Sequence, residues 1–247
     1  EAAKVLWQLG LDAVQKVCEL IDEHQIDCEL GSGNLHLAAK PSHAGELQEE
    51  LEHLESQYGY QQLSYLSPDA VAELTSAQGF YGALLDDGCR HLHPLKYAVG
   101  LARAAAEAGA RIYEHSRAQP APDGQSGEVK TTQGYVKAQH VVLGCNAYLG
   151  KLMPRLAGNI MPINNFVIAT EPLPSHVLPR INRDNLSMSD TLFVINYWKL
   201  SEDGRILFGG GENYSSHFPR DIKAFVRPHM LNIYPELEKI EVEYGWG

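Results

Sequence analysis

Three features of the sequence predict an α+β fold. Apolar residues recur at helical spacing over the first 25 positions and again at 94–109. After residue 110 the pattern turns to short β-branched or alternating runs broken by glycine. Gln133-Gly134 and Asp203-Gly204 join neighbouring runs as hairpins, a connection that a purely parallel sheet does not use.

Taken in order, Ala2, Val5, Leu6, Leu9, Ala13, Val17, Leu20 and Ile21 place one apolar stripe on a helix over 1–25. Two short strands are expected at 27–31 and 33–39, parted by Gly31-Ser32-Gly33. Leu47, Leu51 and Leu54 mark a helix rich in Glu and Gln. Ser67-Pro68-Asp69 starts another, with the Ser67 hydroxyl as N-cap and Pro68 in the first turn, where its missing N–H has no partner to lose. A strand at 81–85 then meets an Asp86-Asp87-Gly88 turn. Pro94 opens a helix that Gly109 closes, glycine tolerating the left-handed conformation of a helix end. Strands are expected at 111–116, 128–132, 135–138 and 140–144, with Pro120-Ala121-Pro122-Asp123-Gly124 as a loop. Further strands at 164–171, 192–200 and 205–209, a helix at 222–233 and a strand at 239–244 complete the prediction.

The 247 residues are 44% hydrophobic and 21% charged, the composition of an ordinary globular chain with a core of its own, so disorder is excluded as the main state. A formal net charge of −11, with no dense Lys/Arg cluster, argues against nucleic-acid or anionic-membrane partners, which need basic patches. Four cysteines lie far apart with no CxxC pair and read as reduced thiols, making the cytoplasm the expected compartment. Five acidic residues in the first 24 positions exclude a signal peptide or a transmembrane span there. The sequons at Asn185 and Asn213 carry little weight without a secretory context. The chain opens inside a helical pattern and stops directly after a strand-like run, which points to a fragment.

Local motifs leave the chemistry open. Gly31-Ser32-Gly33 invites a dinucleotide reading, but His36 stands where a third glycine belongs and a strand follows, so a tight turn fits better. His91-Leu92-His93 has no ligand partner at metal-site spacing and reads as a strand leading into a helix start; no metal is expected. No GxSxG elbow supports a serine hydrolase. Cys145 is either a nucleophile or, more commonly for free cysteine, a buried thiol. Gly209-Gly210-Gly211 either lets backbone approach a ligand closely or forms a loose hairpin end. Tyr197-Trp198 either lines a pocket or, the commoner case on pattern alone, packs in the core.

Several segments in sequence resemble the D-amino-acid-oxidase-like family of flavoenzymes. They are HQIDCELGSGNLHLA (24–38), HLHPLKYAVGLARAAAEAGARIYEHSRA (91–118), the run from Val129 to Tyr148, MPINNFVIATEPL (161–173), GRILFGGG (204–211) and VEYGWG (242–247). Each is weakly specific alone, but their order spans nearly the whole chain. Members begin with a strand–GxGxxG–helix unit for the FAD pyrophosphate, which is absent here, and continue beyond the segment matching Trp246-Gly247. The resemblance therefore implies an internal fragment of an FAD-dependent amine oxidoreductase.

In fold, the resemblance implies a substrate domain with a mixed, largely antiparallel sheet flanked by helices (28–93 and 160–247) and part of an FAD-binding α/β domain (1–27 and 94–159). In role, it implies that Tyr197, with Trp198 beside it, faces a small amine substrate. It implies that Ala118, Cys145, Asn146, Ala147, Gly209 and Gly210 lie toward the cofactor. The arginine that clamps a substrate carboxylate in amino-acid-oxidising members has no counterpart here. The implied chemistry moves a hydride equivalent from a carbon beside nitrogen to the flavin; the imine hydrolyses to an aldehyde, and dioxygen is reduced to peroxide. Such chemistry asks for orientation, a neutral amine and a dry pocket more than for an acid–base motif. The fragment itself is expected to be inactive and to hold FAD poorly. Two alternatives stand beside it: a stand-alone, non-enzymatic module binding a small ligand, and a sarcosine- or glycine-type amino-acid oxidase.

Overall fold

The computed structural model describes residues 1–120, 127–214 and 217–247. Its centre is a mixed eight-stranded sheet built from β1 (Gly31–Leu37), β2 (Leu63–Leu66), β3 (Ala83–His91), β6 (Asn164–Thr170), β7 (Ser187–Asp190), β8 (Tyr197–Leu200), β9 (Ile206–Asn213) and β10 (Val242–Trp246). The strand order is β10-β6-β9-β8-β7-β1-β3-β2. Every neighbouring pair is antiparallel except β1 with β7, where the two halves of the sheet meet. A separate hairpin pairs β4 (Glu128–Lys130) with β5 (Tyr135–Lys137) around Gln133-Gly134.

Strand alternation gives the sheet two unlike faces. One presents Leu35, Leu37, Phe166, Ile168, Met188, Trp198, Ile206 and Phe208 to the main core. Against it pack α3 (Pro68–Leu74), α6 (Leu178–Ile181) and α7 (Ile222–Ile233), which contribute Val71, Leu74, Ile181, Val226, Met230 and Ile233. Burial of each large side chain contributes about 1.5–3 kcal/mol before chain entropy is charged against it. The opposite face is covered only in part. Leu47 of α2 (Pro41–Tyr58) packs on Ala38 and Leu84 at the β2–β3 side. The ends of α1 (Ala2–Glu23) and α4 (Pro94–Glu107) bring together Ile21, Ile26, Cys28, Tyr97 and Leu101 beside the start of β1.

Helix starts follow their caps. Ser67 Oγ accepts from Ala70 N–H, His93 Nδ1 from Lys96 N–H, and Asp221 Oδ1 from Ala224 N–H, each with a non-helical backbone at the cap. His91 and His93 are thereby accounted for as a strand end and a cap, and among the described residues no cluster of His, Cys, Asp or Glu forms a metal site.

The strand expectations need correction in several places. Residues 27–30 are not a strand, and Gly31-Ser32-Gly33 is no turn: it lies inside β1, beside a register shift against β3 with Gly33 at φ 88°. Asp86-Asp87-Gly88 lies inside β3, because Asp86 is satisfied there by the Tyr60 hydroxyl, the Gly88 N–H and the Cys89 thiol. The run 192–200 divides into a loop and β8, and β2 and β7 arise where no strand was expected. Residues 111–116 and 140–144 are not strands, since no described strand lies beside them to take up their backbone hydrogen bonds. The proline-rich loop at 120–124 falls largely outside the described residues, as does the last residue of the Asn213 sequon.

Candidate functional site

The partly covered face of the sheet carries the candidate site. Cross-strand register aligns one row of residues on it: His36 in β1, Ser189 in β7, Tyr197 in β8, Gly209 in β9, Val167 in β6 and Trp246 in β10. Partners in register share a face, so this row is a continuous surface. Two residues earlier in β1 and β7, Asn34 pairs with Ser187; two residues later in β8 lies Lys199. Where the core face is apolar, this one is polar across β1, β7 and β8.

Side-chain size gives the surface its relief. Both β7 residues on this face are serines, flanked by Asn34 and His36 on one side and by Tyr197 and Lys199 on the other. Strand spacing separates the two walls by about 10 Å, wide enough for an aliphatic chain. Tyr197 leans away from β7. Its ring lies across Gly209, where a Cβ would come 2.1 Å from Cζ, and its hydroxyl donates to Asn165 Oδ1. His36 leans toward β7, with Nδ1 2.8 Å from Ser189 Oγ. Asn34 Nδ2 donates to Ser187 Oγ at 3.0 Å, and Ser187 Oγ donates to the Gly33 carbonyl. The result is a groove along β7, with a serine floor and ordered walls.

Its electrostatics follow from partial burial. Burial pushes the His36 pKa below the ordinary histidine value, although Glu50 of α2 and Asp190 pull it back up. Burial likewise lowers Lys199, against the opposing pull of Glu29 and Cys28. Burial raises the Tyr197 phenol. At neutral pH the groove thus holds an uncharged imidazole and an uncharged phenol near one end, with the lysine toward the other.

The residues expected at the site separate into three groups. Tyr197 faces the groove. Trp198, next in β8, faces the core instead: it is 2% exposed, stacks on Phe208 at 5.5 Å and donates its indole N–H to Tyr234 Oη, so it lines no substrate pocket. Gly209 and Gly210 do not end a strand, because β9 continues to Asn213; they let Tyr197 and Asn196 lie close on opposite sides of it. Ala118 adjoins the β4–β5 hairpin, where the Gln119 N–H donates to the Lys130 carbonyl. Cys145 is a half-buried free thiol at the start of the 3-10 turn Asn146–Leu149, which includes Ala147. Among the described residues, no hydrogen bond links Ala118, Cys145, Asn146 or Ala147 to the eight-stranded sheet. His36, Ser187, Ser189 and Lys199 were not singled out from sequence; their signal was a polar residue at every second position in β1, β7 and β8.

A mixed sheet with one apolar, helix-covered face and one polar face, and a separate hairpin beside it, defines the class of fold to which the chain belongs. The chain belongs to the family described as "DAO: FAD dependent oxidoreductase", which it matches over residues 1–247. It is 36% identical over 248 residues to the probable oxidoreductase OrdL of Rhizobium meliloti (strain 1021), and 33% identical over 247 residues to gamma-glutamylputrescine oxidoreductase of Escherichia coli (strain K12). Each of these comparisons takes in 100% of this chain and 58% of the relative, so the chain spans little more than half the length of the curated relatives it matches. Glycine oxidase from Geobacillus kaustophilus superposes with a TM-score of 0.76 at 20% identity, over 96% of this chain and 64% of that one. L-proline dehydrogenase from P. horikoshii gives 0.74 at 19%, over 94% and 64%. These two likenesses establish the fold, a mixed sheet flanked by helices.

FAD is the cofactor of this family. The described residues fit only part of it. Gly31-Ser32-Gly33 sits within β1 and leads to no helix, so it offers the pyrophosphate no helix N-terminus. His36, Ser189 and Tyr197 present polar groups along one face of the sheet and form no phosphate-binding loop. Among the described residues, no helix is long and apolar enough to cross a membrane.

Proposed function

We propose that the chain is the substrate-binding part of an FAD-dependent amine oxidoreductase, whose substrate is a small aliphatic amine of the gamma-glutamylputrescine kind. The groove along β7 carries this reading: it is floored by Ser187 and Ser189 and walled by His36 and Tyr197. Residues 28–93 and 160–247 form the substrate domain, and 1–27 and 94–159 belong to the flavin side. Bound FAD supplies the acceptor for the hydride equivalent leaving the carbon beside nitrogen. The chain's own residues hold the amine, keep it uncharged and exclude water. An aldehyde, ammonia and peroxide are the products. The four free cysteines support the cytoplasm as the compartment.

Lys199 supports a substrate with an acid at the end remote from its reacting amine. It is the half-buried cation of the β8 wall, and a carboxylate lying along β7 would meet it. The full-length enzyme should therefore bleach its flavin, without oxygen, faster with gamma-glutamylputrescine than with putrescine, glycine or sarcosine. Lys199→Gln should raise KM about five- to tenfold for the carboxylate-bearing amine and leave putrescine unchanged. Preference for glycine or sarcosine would replace this reading with an amino-acid oxidase. Ligand binding by the 247 residues alone, with no flavin reduction in the full-length protein, would favour a non-enzymatic module.

A further inference from the structure

On that reading of the groove, we propose that His36 is the residue that receives the substrate's amino group and takes its proton. Three observations place it there. His36 is on the same face as Tyr197, one strand removed, and only the small side chain of Ser189 separates them in the row. Tyr197 is drawn the other way, over Gly209 toward Asn165, so of the two walls it is His36 that is joined to Ser189. The Nδ1 of His36 is already engaged with Ser189 Oγ at 2.8 Å, whereas its Nε2 has no partner among the described residues.

The chemistry follows from these contacts. Aliphatic amines have pKa values near that of lysine, about 10.4, and arrive as ammonium ions. Loss of hydride from the adjacent carbon needs the nitrogen lone pair, so one proton has to leave first. When His36 Nδ1–H donates to Ser189 Oγ, the Nε2 lone pair is left free to accept an ammonium N–H. The N–H bond of the substrate breaks, an Nε2–H bond forms, and the products are a neutral amine and an imidazolium; charge and protons balance with no other reactant. Ser189 is a positioning residue that fixes the ring and its tautomer. The charged groups nearest the imidazole, Glu50 from α2 and Asp190 at the end of β7, stabilise the imidazolium once it forms. Burial keeps the ring neutral beforehand, so Nε2 has a lone pair to offer at pH 7, although the same burial makes the imidazolium costlier, which those two carboxylates offset in part.

The test uses the full-length, flavin-loaded enzyme and its His36→Gln and Ser189→Ala variants. Two readouts are followed between pH 6.5 and about 9.5, the range bounded by imidazole and amine titration. One is the rate constant of anaerobic flavin reduction divided by the amine's Kd. The other, free of turnover, is the Kd of tert-butylamine, which has no hydrogen on the carbon beside nitrogen, read from the flavin absorption band. In the native enzyme both should depend less steeply on pH than in the variant, because the ammonium form is received by a neutral His36. In His36→Gln only the rare neutral amine is competent. Both readouts should weaken about tenfold for each pH unit below the amine's pKa, with at least a tenfold deficit at pH 7. Ser189→Ala should move both the same way by a smaller factor. It decides the matter if His36→Gln fails to take up flavin. Flat profiles in the variants, or a loss equal at every pH, would overturn the assignment. A native enzyme that no amine reduces would instead overturn the amine-oxidoreductase reading on which it rests.

Discussion

At Gly209 a missing side chain shapes the groove. A Cβ there would meet the Tyr197 ring at 2.1–2.6 Å, so Gly209→Ala must tip the ring toward β7. Overpacking of this kind costs about 1–3 kcal/mol. The expected outcome is a KM raised more than kcat is lowered, with a lower unfolding midpoint, both measured on the full-length enzyme. Tyr234 makes the complementary point on the core face. Its fully buried hydroxyl accepts the indole N–H of Trp198 at 2.9 Å and lies 2.8 Å from Thr75 Oγ1. Tyr234→Phe leaves that indole donor unpaired and should cost about 1–3 kcal/mol in urea unfolding while sparing substrate KM. Tyr197 and Trp198 also mark what single residues could reveal in advance. Strand alternation required that they face opposite ways, but two adjacent aromatics do not say which of them meets the core.

Elements announced themselves where local chemistry decides structure. Pro68 and Pro94 marked helix starts in the sequence because a helix's first N–H groups need side-chain acceptors or no donor at all, and the structure adds Asp221 as the cap of α7. Asp221→Ala should therefore destabilise α7 by about 1 kcal/mol, read as a shift in the denaturant midpoint with an unchanged slope. Since Val226 and Met230 of that helix lie in the main core, the loss should appear in global unfolding and not as local fraying. Strands were less legible because their partners are distant in sequence. Ser187–Asp190 shows little apolar alternation and becomes β7 only because β1, some 150 positions earlier, pairs with it in parallel. Conversely, 140–144 has β-branched residues suited to a strand, and forms none without a neighbour. The groove shares this property: its walls come from β1 and β8, and Asn34-x-His36 and Ser187-x-Ser189 gain meaning only when register sets them side by side.

Over the whole molecule, apolar surface is divided unequally between the sheet and the helices outside its core. On the core face of the sheet, large side chains such as Leu35, Phe166, Ile168 and Phe208 are fully buried. On α1, Val5, Leu6 and Leu9 are 65%, 68% and 62% exposed, and on α4 Leu95 and Val99 are 67% and 61% exposed. Ile112, Tyr113 and Val142 add to this surface from segments without a paired strand. Isolated exposed leucines are ordinary, but clustered ones on amphipathic helices mark a face that another surface covers. The curated relatives are longer than the length matched here. Expressed alone, the 247 residues should therefore self-associate as concentration rises, bind a hydrophobic dye and retain no FAD through gel filtration. Leu6→Glu with Leu9→Glu should suppress both the association and the dye signal while leaving helical content unchanged, because neither side chain contributes to the buried cluster of Ile21, Ile26 and Cys28. A monomer by sedimentation with no dye signal would mean that these helix faces are stable in water, and the apolar stripe of α1 would then need another explanation.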